Sequence, residues 1–175
     1  MPSPPILVTY LLLALVTAYV SYTDVRYRRI PNVCVLATLA GGILLNAAFG
    51  GLPGLLSSLG GFALAFGIML FLHLFGTMGA GDVKLFGAVG AVIGAGLVLP
   101  AFAAVAVVGF VLAVFTMVRA RAVRGTSVNV LQFFLGLLPG QSLPRFAAPS
   151  DRRRGVPYGV AITLGSLVSV LLFRA

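Results

Sequence analysis

The sequence has no glutamate and no tryptophan, and only one cysteine and one histidine; its three acidic residues are Asp24, Asp82 and Asp151. A single cysteine, Cys34, excludes an intramolecular disulfide and any cysteine-based zinc site, and reads as a small apolar helix residue. Charge of either sign is scarce, at 9% of residues, where a soluble domain carries roughly 25%. With 60% hydrophobic residues and a mean hydropathy of +1.12, the chain cannot cover its apolar surface with polar groups. Its solvent is therefore lipid. The formal net charge of +9 fits membrane topology better than nucleic acid, because cytoplasmic loops of membrane proteins accumulate Lys and Arg, and a basic rim favours anionic lipid.

The apolar runs predict an all-α integral membrane protein, a polytopic bundle of about six helices in a single domain, 1–175. Residues 5–22 form a first span, read as a retained helix rather than a signal peptide. Arg26, Arg28 and Arg29 follow and mark a cytoplasmic loop, which puts the N-terminus outside. Spans at 33–50 and 55–76 are separated by the uncharged turn Gly50-Gly51-Leu52-Pro53-Gly54. The stretch 85–118 has 34 residues without a charge, too many for one crossing. Pro100 near its middle suggests two short spans, 84–99 and 101–118, with a turn between them. Two crossings also put Arg119, Arg121 and Arg124 inside, and 119–154 becomes a basic cytoplasmic loop whose apolar patch, 131–138, lies at the membrane interface. A last span over 155–173 puts the C-terminus outside. In this arrangement eleven of the twelve basic residues are cytoplasmic and only Arg174 is not.

Parity then brings Asp24, after the first span, and Asp82, after the third, to the same cytoplasmic face. Carboxylates at the edge of a hydrocarbon segment are costly and point to function. Two that meet can share one proton, so that one activates water while the other polarises a carbonyl, with no metal and no cofactor. Two structural alternatives stand beside this. Asp82 can be the N-cap of the following helix, and Asp24 a loop carboxylate paired with Arg26 or Arg28. Gly79 and Gly81 permit a close backbone approach beside Asp82.

Three motifs resemble those of the type IV prepilin peptidases, bacterial membrane aspartic proteases of the GxGD class. Asp24 through Ile30-Pro31-Asn32 is similar to the family's aspartate, basic stretch and Ile-Pro-Asn. Gly79, Gly81, Asp82 and Lys84 are similar to Gly-x-Gly-Asp-x-Lys, and Pro157-Tyr158-Gly159 resembles a Pro-aromatic-Gly motif opening the last helix. The resemblance implies that Asp24 and Asp82 are the catalytic pair and that the substrates are prepilins or pseudopilins. These would lose a short basic leader at the cytoplasmic face of a prokaryotic inner membrane. Larger members carry a cytoplasmic domain with paired CxxC motifs and also methylate the new N-terminus. One cysteine and an immediate first span imply peptidase activity alone, in the compact form of tight-adherence (Flp) pilus or archaeal preflagellin peptidases.

The remaining polar residues have competing readings. Lys84 either tunes the neighbouring carboxylate or binds the substrate, or else it snorkels to headgroups. His73 reads as a histidine hydrogen-bonded inside the bundle. Arg152, Arg153 and Arg154 read as a topological stop signal, and Asp151 beside them has no catalytic role. The competing function is a small proton-coupled transporter using Asp24 and Asp82 as carriers. No second glycine-aspartate break is found to support it.

Overall fold

A computed structural model describes residues 4–75, 78–119 and 158–173, and every regular element among them is helical. Helix α1 covers Pro4–Tyr27, α2 Asn32–Leu74, α3 Ala80–Ile93, α4 Val98–Arg119 and α5 Tyr158–Phe173, with one 3-10 turn at Ala95–Leu97. Among the described residues three helices are long and apolar enough to cross a membrane: Ile6–Tyr27, Asn32–Leu74 and Ala95–Thr116. Large side chains such as Leu11, Leu15, Phe71 and Phe110 point outward from them, as a lipid-facing surface requires. The expected basic loop and its 131–138 patch, together with Asp151, Arg152, Arg153, Arg154 and Pro157, lie outside the described residues.

Helix α2 is continuous by hydrogen bonding over 43 residues, where the sequence predicts two separate spans. It is nevertheless broken at Gly51, whose φ of 58° and ψ of −144° belong to a region open essentially to glycine alone. Pro53, two residues on, sits at the start of the second half, where a missing N–H matters least. The two halves fold back on one another. A Cβ placed on Gly54 would strike the Asn46 carbonyl, eight positions away in sequence. The Asn46 amide donates to the Ala91 and Val92 carbonyls, and Ser58 from the other half donates to the same Ala91 carbonyl at 2.8 Å. A straight helix would hold Asn46 and Ser58 about 18 Å apart. The predicted turn at 50–54 is thus present as a hairpin bend within one helical run.

Helix α3 lies at the centre. Every residue from Leu85 to Ile93 is buried, the mark of a helix enclosed on all sides. Small residues permit this. A side chain on Gly61 would meet the Gly90 carbonyl, one on Gly90 would meet the Gly61 carbonyl, and Gly42 lies against the Val92 backbone. Helix α5 packs on α4 and α1, with Gly165 against the Val105 backbone. Phe86, Leu85, Met69, Leu13 and Ile162 are the largest side chains in the resulting core.

Two boundaries differ from the sequence expectation. The turn between α3 and α4 falls at Gly94–Leu97, not at Pro100. Gly94, at φ 79°, reverses the chain, and Pro100 occupies the first turn of α4, where its lost donor has no partner to forgo. Helix α1 also runs on to Tyr27, so Asp24 sits in its last turn rather than in a loop after it.

Candidate active site

The first candidate residue is held by the end of a helix and the start of another. Asp24 is only 8% exposed, so the reading of it as a surface loop carboxylate fails. Its Oδ2 accepts a hydrogen bond from the Gly159 amide at 2.8 Å, across 135 positions of sequence. Gly159 is the second residue of α5, where backbone N–H groups have no partner within the helix and a carboxylate is favoured. A side chain there would come within 2.9 Å of Asp24 Oδ2 and 3.0 Å of Val20. Glycine is needed at this position for the approach itself. After α1 the chain turns at Arg28, in the left-handed region at φ 52°, and the Arg28 guanidinium is the cation that acts on Asp24.

Asp82 enters from α3. The N-cap is Gly79, and Asp82 is the third residue of the helix, reaching back so that its Oδ2 accepts from the Gly79 amide at 3.2 Å. This is half of a capping box, so the capping role expected of Asp82 is real but is exerted from inside the first turn. The residue stands ahead of the uncharged run that begins at Leu85. Burial and the charge of Asp24 push its carboxyl up to about 6, against the single amide that favours its ionised form. Asp82 therefore senses the charge of Asp24, and Tyr158 on α5 senses Asp82.

The supporting motif residues converge here in part. Ile30, beside Pro31 and Asn32 at the entry to α2, packs over Gly81, with its Cβ 3.7 Å from where a Gly81 side chain would begin. The first motif thus touches the second. His73 is hydrogen-bonded, as expected, its Nδ1 donating to the Met78 carbonyl at 2.7 Å and tying the end of α2 to the segment that leads into Gly79. Lys84 points away from α3 and is exposed. Among the described residues no three His, Cys, Asp or Glu side chains gather as metal ligands. Tyr158 and Gly159 are tied to the site in the sequence only by the motif resemblance, which implies no particular contact for either. The signal for Gly159 was a glycine at a helix start, which is too common to single out.

Compared with known protein families, the chain matches the type IV leader peptidase family over residues 11–114, a range that contains both aspartates and stops short of Tyr158. The protein belongs to that family, a family of aspartic-type peptidases. No curated protein and no solved structure matches it.

Proposed function

We propose that the protein is a membrane aspartic endopeptidase that removes the short basic leader from prepilins or pseudopilins at the cytoplasmic face of the inner membrane. Asp24 and Asp82 act as its catalytic pair. The observation that carries this reading is the packing of the two motifs on one another, Ile30 over Gly81, which brings the buried Asp24 of α1 near enough for its charge to act on the half-buried Asp82 of α3. The ionised member removes a proton from water, and the hydroxide so formed adds to the scissile carbonyl, which the protonated member polarises. Breakdown of the tetrahedral intermediate breaks the C–N bond and passes a proton to the leaving amine. A cleft of about 310 Å³ is lined among others by Met69, Leu72, Met78, Phe102, Phe110 and Tyr158, the residue of α5 that senses Asp82. Its apolar lining suits a substrate whose segment after the leader stays in the bilayer.

A six-span arrangement, with the hairpin halves of α2 counted separately, puts both termini outside and the pair inside. Peptidase activity alone, without methyl transfer, is the expected repertoire, and no cofactor enters the mechanism. The transporter alternative is not favoured, since family membership points to proteolysis. The test is cleavage of a co-expressed candidate prepilin. Asp24→Asn and Asp82→Asn should each lose at least about a hundredfold in rate, while Asp151→Asn keeps it. Continued processing in either of the first two variants, with insertion intact, would sink the pair.

A further inference from the structure

The two carboxylates are not held alike. Asp24 is offered the N-terminus of α5, with the Gly159 amide at 2.8 Å and the Val160 amide facing the same group, and the Arg28 cation beside it. Asp82 is offered one longer bond, 3.2 Å from Gly79, and the charge of Asp24. Burial opposes ionisation at both carboxylates; the donors and the cation offset it in part at Asp24, whereas the like charge adds to it at Asp82. We propose that Asp24 is the ionised member of the pair and Asp82 carries the shared proton, with Gly159 the positioning residue that fixes this order. Asp24 is then the base that takes the proton from water, and Asp82 the acid that polarises the carbonyl. The assignment rests on the reading of the two aspartates as a catalytic pair. Among the described residues, the charged and titratable groups that act on them are Arg28 beyond α1, Tyr158 on α5 and the carboxylates themselves. Lys84 on α3 is exposed, and His73 on α2 is bonded to Met78.

The scarcity of acids makes the test direct. Aspartate labelled with 13C at its side-chain carboxyl gives three resonances in the whole protein, and Asp151→Asn and Asp82→Asn assign them. In detergent micelles Asp82 should titrate last of the pair, near its value of about 6, and Asp24 at lower pH. Gly159→Ala should raise the Asp24 midpoint by about one pH unit, the equivalent of one hydrogen bond of ordinary net strength. Arg28→Asn should move it in the same direction while keeping a side chain that tolerates the left-handed backbone, and Arg28→Lys should restore it. In the pH profile of prepilin cleavage, both perturbing variants should lift the acid limb and leave the alkaline limb in place. A reversed assignment lifts the alkaline limb instead, and an Asp24 resonance that titrates after Asp82 overturns the proposal. So does a Gly159→Ala protein with all midpoints unchanged, which would make Gly159 a packing residue only. If the parent cleaves nothing, the protease reading fails, while the order of titration still decides where the proton lies.

Discussion

At the scale of single residues, Asp82 makes a prediction about stability that is independent of catalysis. Its carboxyl is raised from 3.8 to about 6 in the folded protein, so folding favours the protonated form. Its contribution to stability is complete below about 3.8 and is lost as pH rises through about 6. Asp82→Asn should therefore raise the melting temperature in detergent at pH 7 to 8, and the gain should vanish below pH 4. A gain that stays constant with pH would mean that packing, not charge, distinguishes the two side chains. The sequence points to Asp24 and Asp82 together because the parity of apolar runs is expected to bring both to one face, and the structure has the charge of Asp24 acting on Asp82. What was not legible is the partner of Asp24. An amide 135 positions away leaves no trace in composition or spacing, and Gly159 looks like any glycine that opens a helix.

At the scale of elements, α3 is the buried axis of the fold, and its contacts with α2 depend on side chains that are absent. Gly61→Leu or Gly90→Leu forces a side chain into the facing backbone and should cost about 3 kcal/mol, seen as lost monodisperse protein and a lower melting temperature. Gly67→Leu, on the same half of α2 but facing open space, should leave both unchanged. Equal damage from all three would mean that glycine matters for chain flexibility rather than for contact. Element boundaries were less legible than element existence. Proline is the loudest breaker in a sequence, yet Pro100 fits the first turn of α4, and the reversal is made by Gly94, one of 22 glycines with nothing local to distinguish it. The extension of α1 past Tyr22 was hidden for a related reason. The arginines that end the apolar run do not end the helix, since hydrogen bonding continues to Tyr27 and a left-handed Arg28 stops it.

At the scale of the whole molecule, the proposed topology can be checked by labelling. Cys34 is the only thiol, so Cys34→Ser gives a silent background. In that background Gly50→Cys, at a position with open space around it, should react with an impermeant maleimide on intact cells. Arg29→Cys should react only after the membrane is opened. The reverse pattern would turn the protein over and put the aspartates on the outer face. The lipid-borne class is readable from composition, because so few charges cannot cover the apolar surface, and the helical architecture from the length of the uncharged runs.

The bond between Asp24 and Gly159 has a consequence for biosynthesis. Asp24 leaves the ribosome early, and the amide that receives it is made 135 residues later. During that interval the carboxylate lacks this donor, and until α3 is made it lacks its companion as well. A nascent chain therefore carries the first half of its chemistry through the insertion machinery unformed, and the last helix to arrive completes it. On the proposed mechanism, cleavage would have to wait until synthesis has gone far enough to close the bundle.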